Sequence, residues 1–198
     1  MTSGDAERRA RFDVLARASY APLRNYLARR MDPAAVDDVL ADTLLVIWRR
    51  LDDIPDDAAL PWCYGTARRC LANARRAEDR RRSLLRRLAA QPDPNPDPAW
   101  TADACAYPEQ ALAEALAGLP DTDRDILRLW AWEQLEPREM AVVLGITANA
   151  ASIRLHRATK RLRHQLGRTE DALGKDDGTS GHLPPRPEGS REDTEAPR

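Results

Sequence analysis

Apolar residues recur along this chain at three- and four-residue steps, the spacing of helices that bury one face. From Phe12 to Arg30 the positions Phe12, Leu15, Ala16, Tyr20, Leu23, Tyr26 and Leu27 follow that spacing, as one helix or as two broken near Pro22. Residues 1–9 lack it and are expected to be flexible. Asp32 and Pro33 suit an N-cap and first helical position. From there to Leu51, Val36, Val39, Leu40, Thr43, Leu44, Ile47, Trp48 and Leu51 form one stripe, with Asp37, Asp38, Asp42 and Arg49 off it. A polar loop, Asp52 to Pro61, leads to a long helix from Trp62 to about Leu88. Its first half carries Trp62, Tyr64, Ala67, Cys70, Leu71 and Ala74, and its second half is mostly arginine.

Gln91 to Pro108 is proline-rich and aperiodic, an extended linker. A short helix over Glu109–Leu119 is stopped by Gly118 and Pro120. The next, capped by Asp121 or Thr122, turns Ile126, Leu127, Leu129, Trp130 and Trp132 inward. Two further helices are joined by a tight turn. Pro137–Leu144 ends at Gly145, which can adopt the left-handed conformation, and Thr147 caps a helix whose Ala151, Leu155, Ala158 and Leu162 share one stripe. The last thirty residues hold eight acidic and four basic side chains and little to bury, so 168–198 is expected to be a disordered acidic tail. The expected fold is all-α: two small helical domains, 10–90 and 108–167, joined by an extended linker, 91–107.

The net charge of -1 conceals segregation. Nine arginines lie between Arg68 and Arg87, and eight basic or histidine residues with no acid lie between Ser152 and Arg168. Such blocks suit a polyanion. No apolar run approaches the roughly 18 residues of a membrane span, and no signal-peptide core is present, so no membrane insertion and a cytoplasmic location are expected. Three cysteines without framework spacing fit a reduced compartment. With no ligand cluster, phosphate-binding glycine loop or nucleophile–base pair, no metal, cofactor or catalytic residue is expected, and no enzymatic activity.

Two stretches carry candidate chemistry. Residues 135–166 read as a helix-turn-helix, whose second helix can enter a DNA major groove; the plainer alternative is a surface helical hairpin with a solvated basic face. Trp62 and Tyr64, ahead of an arginine run, suit base stacking with phosphate contact on a single strand. They suit a place in the core as well.

Taken together, DDVLADTLLVIWRR, then PWCYGTARR running into arginines, then a proline-rich linker, then LP…LRLWAWEQLEPREMAVVLGITANAASIRLHRATKRL resembles a bacterial RNA polymerase sigma factor of the extracytoplasmic-function (ECF) group of the sigma-70 family. The likeness covers about residues 10–90 and 108–166. It implies an N-terminal region 2 type bundle and a C-terminal region 4 type four-helix domain, with core RNA polymerase, promoter DNA and an anti-sigma factor as partners. Asp37, Asp38, Asp42, Trp48 and Arg49 would dock on the polymerase. Trp62, Tyr64, Arg68, Arg69, Asn73, Arg75 and Arg76 would hold the melted strand of the minus-ten element. Thr147, Asn149, Ala150, Ser152, Ile153, Arg154, His156, Arg157, Lys160 and Arg161 would contact the minus-thirty-five duplex. The chain departs from the family's common residues at Asn149-Ala150-Ala151, Ile153, Arg69 and Asn73, so the promoter it reads is its own. A stand-alone helix-turn-helix regulator, or an interaction module that touches no base, remains as an alternative.

Overall fold

A computed structural model describes residues 3–89 and 107–173, and these form helices and no strand. The proline-rich linker and most of the acidic tail lie outside the described residues.

Helix α1 spans Ser3–Ala28 without interruption, so Pro22 lies inside it rather than at a break. Pro22 withholds one backbone donor, but Leu23, Tyr26 and Leu27 beyond it are buried with Phe12 and Leu15 packed on the same core, which holds the axis continuous. The helix also starts earlier than its apolar periodicity does, and residues expected to be flexible are tied down. Arg8 pairs with Asp52, donates to the Trp48 carbonyl at 2.9 Å and lies over the Trp48 ring. Three residues on, Arg11 donates to the Ile54 carbonyl and to Asp56.

Helix α2, Pro33–Arg49, begins as expected: the Asp32 carboxylate accepts from the Ala34 N–H at 2.9 Å, and Pro33 occupies the first turn. Its buried stripe is Val36, Val39, Leu40, Thr43 and Ile47. The following loop contains two single turns of 3-10 helix, Leu51–Asp53 and Asp56–Ala58. Helix α3, Ala59–Ala89, therefore starts three residues before Trp62. It buries Cys63, Tyr64, Ala67 and Leu71 against α1 and α2, and beyond Ala74 its arginine-rich end is exposed.

The second half comprises α4 (Tyr107–Ala117), α5 (Asp121–Ala131), α6 (Pro137–Leu144) and α7 (Ala148–Leu173). No side chain caps α5, contrary to the role expected of Asp121 or Thr122. Arg124 instead satisfies the end of α4, donating to the carbonyls of Leu116, Ala117 and Leu119 at 3.0–3.1 Å. Ile126, Leu127 and Leu129 pack inward, whereas Trp130 and Trp132 are exposed. Gly145 has φ 67°, and Ala151 and Ala158 of α7 are fully buried against α5 and α6. Helix α7 continues six residues past Gly167, to Leu173.

The two halves are docked on each other through α3 and α6. The approach is close at Gly65, where a Cβ would lie 3.4 Å from the Val143 Cα and carbonyl oxygen. Buried residues of both halves consequently form one continuous apolar core.

Candidate nucleic-acid interface

The helix-turn-helix is built by local rules. Glu136 and Glu139 form a capping box at the start of α6, with Pro137 in its first turn. The left-handed Gly145 ends α6, and the Ile146 N–H returns to the Ala141 carbonyl at 3.1 Å. Thr147 then caps α7: its hydroxyl accepts from the Ala150 N–H at 3.2 Å. With Ala151, Leu155, Ala158 and Leu162 turned to the core, Asn149, Ser152, Ile153, His156, Arg157 and Lys160 project together from one exposed face. Ile153 is 45% exposed, an apolar group in a polar surface. Four expected contact residues lie less freely. Thr147 is engaged as a cap, Ala150 and Arg154 are half-buried, and Arg161 pairs with the buried Asp123 of α5.

The expected strand-binding face of α3 is divided. Arg69, Asn73 and Arg76 are exposed; Arg69 donates to the Thr66 hydroxyl and Arg76 to the Asn73 side-chain carbonyl. Trp62 is half-buried with the Arg50 guanidinium 5.7 Å from its ring centroid. Tyr64, by contrast, is 4% exposed, its ring 5.3 Å from that of Tyr26. Burial pushes the Tyr64 phenol up to about 12. Arg68 pairs with Asp125 of α5 at 3.4 Å, and Arg75 donates to the Arg30 carbonyl. The docked second half thus engages Arg68, one of the residues expected to meet DNA, and brings the Glu133 charge near Tyr64.

On α2, Asp37, Asp38, Asp42 and Arg49 are exposed on one side of the stripe, with Arg24 3.6 Å from Asp37. Trp48 does not join that surface. It packs edge-to-face on Phe12, centroids 5.2 Å apart, beneath Arg8.

Residues 109–162, which are most of α4–α7, match the family described as Sigma-70, region 4. The RNA polymerase sigma-E factor of Streptomyces avermitilis is 34% identical over 70% of this chain and 76% of its own length. The ECF RNA polymerase sigma factor SigL of Mycobacterium tuberculosis is 29% identical over 68% and 76%. The probable RNA polymerase sigma factor RfaY of Xanthomonas campestris is 30% identical over 75% of this chain, which spans only 38% of that longer relative. The chain belongs to the ECF group of RNA polymerase sigma factors. Among solved structures, the sigma factor RpoE of Bartonella quintana, in complex with the anti-sigma factor NepR, shares the fold, with TM-score 0.54, 18% identity and coverage of 79% and 96%.

In this sigma factor the sequence reading passed over one cluster. Arg29 and Arg30, at the end of α1, both bind Glu133 in the α5–α6 loop, while Trp132 lies within 6 Å of the guanidinium carbons of Arg29, Arg30 and Arg128. Burial, followed by the neighbouring Arg30 and Arg124 charges, lowers the Arg128 pKa. The only advance signal was the Arg29-Arg30 pair itself, because its carboxylate partner stands 103 residues from Arg30.

Proposed function

We propose that this sigma factor binds core RNA polymerase and directs promoter-specific initiation with its two halves gripping different parts of one promoter. The observation that carries the reading is the exposed face of α7, from Asn149 to Lys160, presented directly after a helix-turn-helix turn on a matched region 4 domain. Arg157 and Lys160 suit phosphate contact, Arg154 suits a guanine edge, and Ile153 suits a thymine methyl. Arg69, Asn73, Arg75 and Arg76 of α3 form the exposed part of a melted-strand site, which Tyr64 and Arg68 complete when the halves separate. Asp37, Asp38, Asp42 and Arg49 supply the charged polymerase-docking surface, and Trp48 braces the helix that carries them.

The protein acts in the cytoplasm without chemistry of its own, and an anti-sigma factor is its further partner. No described helix is long and apolar enough to cross a membrane. A stand-alone regulator would use α4–α7 alone and leave the acidic face of α2 and the basic face of α3 without work. Run-off transcription with purified core polymerase on genomic fragments separates the two. Specific initiation is expected, and it should fall sharply in the Arg154→Ala/Arg157→Ala double variant. Duplex binding without any initiation would overturn the sigma reading.

A further inference from the structure

Glu133 is held as a bound anion would be. Arg30 donates from Nη1 to Oε1 and from Nη2 to Oε2, both at 3.1 Å, and Arg29 donates from Nη2 to Oε1 at 3.0 Å. Two guanidiniums therefore converge on one carboxylate whose side chain is fully buried. A planar guanidinium presents the same paired donors to two oxygens of a phosphate.

The surroundings are unbalanced in charge. Arg29, Arg30 and Arg128 gather about Trp132, and Glu133 is the acid that meets the first two. The Nε atoms of all three arginines are buried without a hydrogen-bond partner. Native structures rarely leave such donors unmet. Aromatic rings adjoin the cations as well: the Arg30 guanidinium lies 3.8 Å from the centroid of Tyr26, and that ring meets Tyr64. Stacking rings beside arginines are what proteins use to hold a single strand. Separating α5 and α6 from α1 and α3 would expose Arg29, Arg30, Tyr64 and Arg68 together, as one surface.

We propose that Arg29 and Arg30 form a binding site for a backbone phosphate of single-stranded DNA, and that Glu133 occupies this site in the docked arrangement as an internal stand-in. One contact then does two things. It latches the halves together, and it withholds the strand-binding surface until a phosphate displaces the carboxylate. The inference rests on the reading of α3 as a strand-binding element, but its test needs no polymerase, so the two stand or fall separately.

The experiment uses the full chain and a fluorescent oligothymidylate of about a dozen nucleotides. Glu133→Gln keeps the side-chain shape and removes its charge. It should enlarge the particle in small-angle X-ray scattering and tighten oligonucleotide binding about tenfold, with a salt dependence steeper by about 0.7 in log–log slope, the release expected from one added single-strand phosphate contact. Adding Arg29→Gln and Arg30→Gln to that variant should abolish the gain. Gly65→Leu, which opens the halves by bulk and leaves the residues of the cluster unchanged, guards against loss of folding. It should show the same gain and the same dependence on Arg29 and Arg30. Expansion without tighter binding overturns the phosphate site, and so does a gain that survives loss of both arginines. A compact Glu133→Gln protein that binds like wild type overturns the latch.

Discussion

The Glu133 carboxylate meets Arg30 across 103 residues of chain, one oxygen to each terminal nitrogen of the guanidinium, at 3.1 Å both times. That fork ties the α5–α6 loop to the end of α1, and Arg30 is further fixed by donating to the Tyr26 carbonyl at 3.0 Å. Lysine offers a point charge in place of the fork and no flat face for the Tyr26 ring. Arg30→Lys should therefore cost about 1–3 kcal/mol in urea unfolding, the usual loss for a charged hydrogen bond in a buried setting. A midpoint equal to wild type would show that charge alone holds the loop.

At Gly65 the prediction turns on size. Alanine in a helix interior gains about 0.5–1 kcal/mol over glycine, and its Cβ would sit 3.4 Å from the Val143 backbone, tight but tolerable after a small shift. Gly65→Ala should leave the particle compact with stability near wild type. Gly65→Leu should drive α3 and α6 apart, seen as a larger radius of gyration. A compact leucine variant would mean that the close approach at Gly65 does not control docking.

The recognition helix depends on its cap. Thr147→Ala removes the acceptor for the Ala150 N–H and should cost about 1 kcal/mol. Thr147→Ser should restore most of it. Gly145→Ala places a β-carbon on a residue at φ 67° and should also destabilise, by about 1 kcal/mol. Thermal melts of the four proteins test both. Equal melting of the alanine and serine variants at position 147 would remove the cap from the account.

Alkaline pH should weaken the fold. Burial raises the Cys63 thiol from 9.0 to about 12 and the Tyr26 and Tyr64 phenols from 10.0 to about 12. Each group is neutral when protonated and loses its proton more easily once unfolded. Their contribution is complete below pH 9 and is lost as pH rises toward 12. Burial also raises the Cys70 thiol from 9.0. Urea midpoints across this range should fall, and the Cys63→Ala/Cys70→Ala double variant should delay the onset toward pH 10, where the tyrosines begin. An onset unchanged in the double variant would assign the loss elsewhere.

Much of the fold was legible because its signals are local. Asp32 with Pro33, Gly145 and Thr147 each act within one turn of themselves, and each plays the structural role its residue type suggests. The apolar stripes of α2 and α7 were equally plain, since burial follows helical spacing. Pro22 misled because a breaker's local cost was outweighed by the core residues beyond it. Trp130 and Trp132 misled because residue type favoured the interior, whereas both are exposed and Trp132 sits beside the guanidiniums of Arg29 and Arg128. The site was half legible. The exposed face of α7 followed from its stripe, but the pairing of Arg68 with Asp125 of α5 depends on a docking that no periodicity or spacing marks. Long-range docking between halves leaves its record in pairs such as Arg30 and Glu133, and nothing in a single sequence marks them as partners.

Cys63 gives the molecule an internal clock. Its thiol is fully buried on α3, near the hydroxyl of Ser19 on α1. It belongs to the packing of α1 on α3, away from the surface where α6 docks. An alkylating reagent can reach it only when the first three helices themselves come apart. The rate of its modification therefore times the breathing of that bundle, whether or not the two halves have already parted.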